Sequence, residues 1–310
     1  MSVRALRILR GIVVALLAVL AILLVASIVF NAVTGGEGKP VRTLWPGRFV
    51  VADGVLTAFR EWGSQGTPVL LVGGFVEPSF VWNEVGPLLA RHHRVYALDL
   101  DGFGYSARRG PWTLAEWADQ AQSFVHALDL GHPVVVGHSL GAAVAVELAR
   151  RGVASRAVLL DGDATRSGGE SWFVREVLVH TPFATSALRL ASRWDWPARK
   201  LLANAYGPDH PPLDDALVQR WTRQLDAKGA DHALETIAGR PSQGFSSAEL
   251  RAMRIRATVV WGSHDGVDAV DEGRQTAADL HAPFVLIPGG GHLTMLTQPK
   301  LVARAIERAG

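Results

Sequence analysis

The stretch Val134-Val135-Val136-Gly137-His138-Ser139-Leu140-Gly141 joins a short β-branched run to the alanine-rich segment Leu140–Arg151. The three valines predict a buried strand, and the segment that follows predicts a helix. A G-x-S-x-G pentapeptide between strand and helix is typical of a sharp turn that raises the hydroxyl of Ser139 above the sheet edge. Side chains at Gly137 and Gly141 would collide with the neighbouring strand or helix, so both glycines belong to the same prediction.

Short apolar runs alternate with helical segments on both sides of this turn. The runs that predict strands are Val69–Val72, Val95–Leu98, Val134–Val136, Ala157–Leu160, Thr258–Trp261 and Phe284–Ile287. Because polar residues hardly interrupt them, these runs indicate parallel strands covered on both faces. Before them, Phe49–Ala52 and Val55–Trp62 flank Asp53-Gly54, which predicts an antiparallel hairpin. The whole pattern predicts an α/β fold with a doubly wound, mainly parallel sheet.

Two other segments add to this outline. Thr113 and Glu116 have capping-box spacing, which predicts the start of a helix over Thr113–Leu128. After Asp161 the alternation stops, and residues 162–249 carry amphipathic segments interrupted by prolines but no strand-like run. We therefore expect a mostly helical insert between two late strands.

The N-terminal region is strongly apolar. Gly11–Phe30 has no charged residue, and Ser27 is its one polar residue. Twenty helical residues reach about 30 Å, the thickness of a bilayer's hydrocarbon core. Three arginines precede the segment, which predicts an uncleaved anchor with a cytoplasmic N-terminus and the remaining chain on the extracytoplasmic side. Two alternatives are a cleaved signal peptide, which would leave a secreted protein, and a buried core helix.

Composition excludes several classes of protein. The 310 residues are 48% hydrophobic and 19% charged, which excludes a mostly disordered chain. The absence of cysteine excludes disulfides, thiolate nucleophiles and Cys-ligated metals. The net charge is only +2, with no basic run beyond pairs of arginines, so we expect no nucleic-acid partner.

A serine nucleophile needs a base and an orienting carboxylate. His292 follows the last predicted strand and a run of three glycines, which would let its loop turn back over the sheet edge. His138 is the other candidate base, but its place beside Ser139 points it into the packed turn. Asp265 lies four residues after Trp261, and the order Ser139, Asp265, His292 suits an acid–base–nucleophile set. The rival acids are Asp161, Asp163 and Asp268.

Two backbone N–H groups are candidates for an oxyanion hole. Leu140 begins the helix after Ser139, where N–H groups are free and the helix dipole is positive. Phe75 follows Gly73 and Gly74 in the loop after the third strand, where glycines let the backbone approach the site. The alternative for this loop is an ordinary glycine-rich connection. The glycine-spaced stretch Asp99–Ser106 is interpreted as structural.

These residues together resemble the α/β-hydrolase superfamily, in the branch that carries a cap. The motifs that carry the resemblance are the elbow Gly137–Gly141, the D-L-x-G-F-G-x-S loop at Asp99–Ser106, W-G-x-x-D at Trp261–Asp265 and G-G-H at Gly290–His292. The resemblance covers residues from about 48 to the C-terminus. It implies an eight-stranded, mainly parallel sheet, with a core over residues 48–161 and 250–310 and a helical cap over residues 162–249.

The predicted organisation is therefore an anchor over residues 1–32, a linker over 33–47 and a hydrolase domain over 48–310. Two features depart from the family pattern. Gly73 stands where members usually have histidine, and Asp101 stands where they often have proline. Relatives that dehalogenate or open epoxides use an aspartate nucleophile, and Ser139 makes this chain unlike them.

The first hypothesis for the reaction is carboxylic-ester hydrolysis through an acyl-enzyme, which requires no metal or organic cofactor. The alternatives are a C–C bond hydrolase or an acyltransferase with the same three residues, and a non-catalytic binding protein on this fold. An aromatic-rich cap suits a small apolar ester or a lipid as substrate, although these rings could simply pack the cap. The cap aromatics are Trp172, Phe173, Phe183, Trp194, Trp196 and Trp221.

Overall fold

The computed structural model describes residues 3–34, 38–166, 183, 185–186, 189, 195–241 and 243–309. Its centre is one eight-stranded sheet with the strand order β1-β2-β4-β3-β5-β6-β7-β8. The strands are β1 Arg48–Ala52, β2 Val55–Trp62, β3 Thr67–Val72, β4 His93–Leu98, β5 Val134–His138, β6 Arg156–Leu160, β7 Ala257–Gly262 and β8 Phe284–Ile287. β1 and β4 pair with β2 in the antiparallel sense, and every other pairing is parallel. The predicted fold class is confirmed.

Helices cover both faces of the sheet. The described α-helices are α1 Val3–Thr34, α2 Val41–Leu44, α3 Gly86–Leu89, α4 Leu114–Ala127, α5 Leu140–Arg150, α6 Asp195–Tyr206, α7 Asp215–Thr222, α8 Ala230–Ala238, α9 Ser247–Ala252, α10 Val270–Asp279, α11 Thr294–Thr297 and α12 Pro299–Ala309. Short 3₁₀ helices lie at Ser79–Trp82 and Arg223–Asp226.

Alternate side chains of the central strands enter two separate apolar cores. Leu70 and Val72 of β3 belong to one core, together with Trp117 of α4. Val69 and Leu71 of the same strand belong to the core on the other face. Because successive side chains of a strand point to opposite faces, a strand covered on both sides must be apolar throughout. This is why the parallel strands are unbroken apolar runs in the sequence.

Short sequence motifs predict the positions of several elements correctly. Asp53-Gly54 turns the β1–β2 hairpin, in which Ala52 pairs with Val55. Thr113 and Glu116 form the predicted capping box at the start of α4. β5 is longer than its valine run and continues to His138, because Gly137 and His138 still pair with β6. Strand pairing depends on the main chain, so it extends past the apolar side chains.

The described part of residues 162–249 contains the helices α6, α7 and α8 and the start of α9, and no strand. Trp221 is buried, whereas Trp196 is 65% exposed. Trp172, Phe173 and Trp194 lie outside the described residues. Helix α9 runs through residues 249 and 250, where the sequence places the end of the cap, so the division into cap and core stays a prediction.

Helix α1 continues beyond the apolar stretch at both ends. Its segment Arg7–Thr34 has a window of mean hydropathy 3.3, which is long and apolar enough to cross a membrane. A signal sequence near the N-terminus meets the same hydropathy criterion, so both an anchor and a signal sequence fit this helix. The segment expected to be a linker carries one turn of helix, α2, whose Leu44 is buried. Gly35 and Gly36 lie outside the described residues.

The C-terminal end of α1 contacts the insert. The Ser27 and Ser186 hydroxyl groups lie 2.6 Å apart. Arg189 donates to the main-chain oxygen of Asn31 at 2.6 Å and to the Thr34 hydroxyl at 2.8 Å. These polar contacts attach the end of the apolar helix to the region predicted as the cap.

Candidate active site

Ser139 occupies a strained turn between β5 and α5. Its φ of +50° and ψ of −122° lie in a region that residues other than glycine rarely adopt, and such strain is common at functional turns. A Cβ at Gly137 would overlap the carbonyl oxygen of Gly141, and one at Gly141 would lie 2.7 Å from the carbonyl oxygen of Gly73. Both glycines are therefore needed for the tight approach of α5 to β5 and to the loop after β3.

His292 and Asp265 are joined by a hydrogen bond. The Nδ1 atom of His292 lies 2.8 Å from Oδ2 of Asp265, and both side chains are buried. The other carboxylate oxygen of Asp265 accepts from the N–H groups of Val267 and Asp268, at 2.8 and 3.0 Å. Because the carboxylate is held on both oxygens, it fixes the tautomer of His292 that leaves Nε2 as the basic nitrogen.

The main chain of His292 lies close to the serine turn. Its carbonyl oxygen is 2.7 Å from Nε2 of His138, the residue directly before Ser139. Among the hydrogen bonds of the described residues, none joins the Ser139 hydroxyl to His292. Catalytic hydrogen bonds are often long in unliganded enzymes and tighten when substrate binds.

Two of the three rival carboxylates, those of Asp161 and Asp163, have other contacts. Asp161 is fully buried, accepts from Gly262 N–H at 2.6 Å and receives a second hydrogen bond from the Thr294 hydroxyl. Burial raises its pKa to about 7, in spite of the nearby His138 and His292. Asp163 accepts from the N–H of Thr165 at 3.1 Å. Asp161 therefore ties the end of β7 to α11.

The loop after β3 packs directly against the serine turn. A Cβ at Gly74 would lie 2.8 Å from Cβ of Ser139, so only glycine lets the loop come this close. Neither the Phe75 N–H nor the Leu140 N–H donates a hydrogen bond to any residue that the structure describes. The Phe75 ring is 42% exposed and packs edge-on against Phe103. Both N–H groups therefore lack a protein acceptor among the described residues.

Glu77 is a residue of the site that sequence reasoning missed. Its Oε2 accepts the Gly74 N–H at 2.6 Å and lies 2.8 Å from Nδ1 of His138. His138 is fully buried with both ring nitrogens engaged, so it is unsuited to act as the base for Ser139. Burial opposes a charge on His138, but Glu77, Asp161 and the main-chain oxygen of His292 together outweigh burial and raise the pKa of His138 to about 9.

The stretch Asp99–Ser106 makes contacts typical of a structural loop. The buried carboxylate of Asp99 accepts the N–H groups of Ser79 and Tyr105, at 2.5 and 2.7 Å. Asp101, which departs from the family pattern, accepts from the Arg109 N–H at 2.9 Å and the Trp112 indole at 3.1 Å. Within the part of the chain that the structure describes, no group of three or more His, Asp or Glu side chains could hold a metal ion.

The strand order, the serine turn and the histidine loop after β8 define an α/β hydrolase. Residues 69–305 match the model of the alpha/beta hydrolase family, and the chain belongs to this family.

Three similar proteins represent the relatives. A 2-hydroxy-6-oxo-6-(2'-aminophenyl)hexa-2,4-dienoic acid hydrolase of Metapseudomonas resinovorans is 28% identical over 272 residues, 83% of this chain and 88% of the relative. A thermophilic esterase from Thermogutta terrifontis superposes with a TM-score of 0.68 at 25% identity, covering 84% of this chain and 96% of the esterase. A bacterial membrane phospholipase A superposes with a TM-score of 0.69 at 22% identity, over 98% and 97% of the two chains. The chain is thus a hydrolase whose relatives act on different bonds.

Proposed function

We propose that this protein is a serine hydrolase that cleaves carboxylic esters of apolar or lipid-like substrates through an acyl-enzyme. The observation that carries the proposal is the 2.8 Å hydrogen bond between His292 and Asp265, with the His292 main chain beside the strained turn of Ser139. A buried carboxylate behind an imidazole next to a serine turn is the arrangement that activates a hydroxyl for attack.

The reaction proceeds in two halves. The Ser139 hydroxyl attacks the ester carbonyl, and its proton passes to Nε2 of His292. The Leu140 and Phe75 N–H groups stabilise the tetrahedral oxyanion, which collapses as His292 returns the proton to the leaving alkoxide. Water then attacks the acyl-enzyme, with His292 taking its proton. The acid leaves and Ser139 recovers its hydrogen.

The apolar helix supports the proposal of a membrane-anchored enzyme. Its span Arg7–Thr34 could hold the protein at a bilayer, with the N-terminus on the cytoplasmic side, as the preceding arginines favour. A protein tethered in this way meets a high local concentration of lipids. The hydrogen bonds from Arg189 and Ser186 to the end of α1 would then keep the insert close to the membrane surface.

The test is a series of p-nitrophenyl esters of increasing chain length, assayed with the full chain in detergent. Ser139→Ala should lose nearly all turnover, about 10⁴-fold or more in kcat, because the nucleophile is gone. Ser155→Ala is the matched control, since Ser155 hydrogen-bonds only the main-chain oxygen of Pro133 at the far end of β5. Equal turnover by the Ser139→Ala variant and the wild type would refute a serine mechanism.

A second candidate is hydrolysis of a C–C bond by the same three residues. It is favoured by the 28% identical dienoic acid hydrolase. A ring-fission dienoate should then be consumed with a kcat/KM well above that of every ester in the series. An acyltransferase would instead pass the acyl group to an added alcohol, and product analysis with a competing alcohol separates transfer from hydrolysis.

A further inference from the structure

Two buried groups that the proposed reaction does not use lie directly behind Ser139. Glu77 belongs to the loop after β3, and His138 is the last residue of β5. Their contact links three parts of the site: Glu77 Oε2 also holds the Gly74 N–H, and His138 Nε2 faces the carbonyl oxygen of His292. The pair therefore joins the oxyanion loop, the serine turn and the loop that carries the base.

The partners of His138 define its protonation. Nε2 faces a main-chain oxygen, which accepts hydrogen bonds and has no hydrogen to donate, so Nε2 carries a proton. Nδ1 faces Oε2 of Glu77, an atom that also accepts the Gly74 N–H. Both ring nitrogens thus face acceptors, and an imidazolium paired with a carboxylate satisfies all of these groups.

The charges around the imidazolium favour this state. Glu77 faces it from the loop after β3, and Asp161 faces it from the loop after β6, with Oδ2 at 3.9 Å from Nε2. The ring of His292 faces it from the loop after β8, at 4.8 Å between centroids. A cation fully inside the protein requires such partners, because an unpaired buried charge would be very costly.

We propose that Glu77 and His138 form a positioning ion pair that keeps the oxyanion loop and the base loop in place around Ser139. On one side, the pair fixes the Gly74 amide directly before the candidate donor Phe75. On the other side, it holds the main chain of His292, while Asp265 holds the His292 ring. This role rests on the proposed serine mechanism, and neither residue of the pair touches the substrate.

The experiment compares Glu77→Gln, His138→Gln and the double variant with the wild type, using the full chain and the best p-nitrophenyl ester. Each single variant should lower kcat about 10- to 100-fold and change KM no more than about twofold, because the groups that stabilise the transition state are misplaced. The double variant should lose less than the product of the single losses, since it leaves no unpaired buried charge.

The pH profile gives a readout that a purely structural role would not move. The pKa of His138 is raised to about 9, so the imidazolium is present below that pH and is lost above it. The kcat of the wild type should fall above about pH 9, and this alkaline limb should be absent from the His138→Gln variant. An alkaline limb that is identical in both proteins would overturn the proposal.

Glu147→Gln serves as a control, and Glu77→Asp serves as a second variant of the pair. Glu147→Gln removes another buried carboxylate that is paired with arginines at the far end of α5, and it should leave kcat unchanged. Glu77→Asp is the second variant if Glu77→Gln does not fold. It keeps the charge but shortens the reach, so it should lower kcat and retain the alkaline limb. Full wild-type kcat in folded Glu77 variants would overturn the positioning role.

Labelling of Ser139 with a fluorophosphonate separates the two proposals. Absence of labelling in the wild type counts against the serine mechanism itself. A labelled wild type together with fully active Glu77 and His138 variants counts against the ion pair alone.

Discussion

Two histidine–carboxylate pairs lie side by side in this molecule, and they differ in what surrounds them. His292 and Asp265 meet at 2.8 Å, and His138 and Glu77 meet at the same distance. The two rings are 4.8 Å apart between centroids. In the first pair the second ring nitrogen has no hydrogen-bond partner among the described residues, whereas in the second pair it is bonded to a main-chain oxygen.

A hydrogen bond to a carboxylate does not by itself make an imidazole a general base. A carboxylate orients an imidazole in both pairs, but a general base needs a free nitrogen that can take a proton. In His138, Nε2 is bonded to the main-chain oxygen of His292 and is not free to take a proton, which suits a positioning role. In the proposed mechanism, the G-x-S-x-G turn therefore carries the nucleophile at Ser139 and a buried imidazolium at the residue before it.

The largest effect on kcat is expected for His292→Gln. We expect a loss of about 10⁴-fold or more in kcat, because the other described histidine beside Ser139, His138, has both ring nitrogens engaged and cannot take the serine proton. A protein that kept most of its turnover would show that the base has been assigned to the wrong histidine. Steady-state kinetics with a p-nitrophenyl ester, normalised to folded protein by circular dichroism, measures the effect.

Asp265→Asn should have the next largest effect, a fall of about 10³- to 10⁴-fold in kcat, because the amide favours the wrong tautomer of His292. Asp163→Asn is the matched control, since Asp163 bonds Thr165 and not His292. A comparable loss in the control variant would contradict the assignment of the acid. The same ester assay compares the two variants.

Asp161→Asn should change the pH dependence of stability. Burial raises the pKa of Asp161 to about 7, above its value in the unfolded chain, so the folded state binds the proton more tightly. Stability is therefore lost as the pH rises from about 4 to 7. The asparagine keeps an acceptor for Gly262 and removes this titration.

Thermal unfolding at a series of pH values tests this prediction. The melting temperature of the variant should depend less on pH than that of the wild type. At pH 8 it should lie roughly 5 °C above the wild-type value. A variant that follows the slope of the wild type across this range would contradict the titration assigned to Asp161.

The smallest effect is expected where the insert meets the apolar helix. Arg189 pairs with Asp231 of α8 at 2.9 Å, and both side chains are partly exposed. Asp231→Asn should cost less than about 1 kcal/mol of unfolding free energy, as is usual for such pairs. Thermal unfolding in detergent measures the change, and a loss of several kcal/mol would mean that this contact supports the whole insert.

Much of the fold could be read from local signals. The Asp53-Gly54 turn, the Thr113 capping box and the glycines around Ser139 each impose a backbone geometry that depends on a few adjacent residues. The sequence predicts a helix over Leu140–Arg151, and the observed helix ends one residue earlier, at Arg150. Parallel strands covered on both faces must also be apolar throughout, so their apolar runs predict the strands from the sequence.

The remaining features depend on contacts between distant parts of the chain. Glu77 lies 61 residues from His138, and nothing in its own neighbourhood marks it as a partner of the serine turn. Ser27 reads in the sequence as a polar exception in an apolar segment, yet it is buried against Ser186. Only the tertiary fold brings such pairs together, so periodicity and motifs do not reveal them.

The central claim is that Ser139 is a nucleophile activated by His292. It is tested most directly by treating the full chain with a fluorophosphonate and locating the adduct by mass spectrometry. Our account predicts one adduct, on Ser139, that forms rapidly in the wild type and is strongly slowed in the His292→Gln variant. No adduct, an adduct on another residue, or equal labelling rates in the two proteins would contradict it.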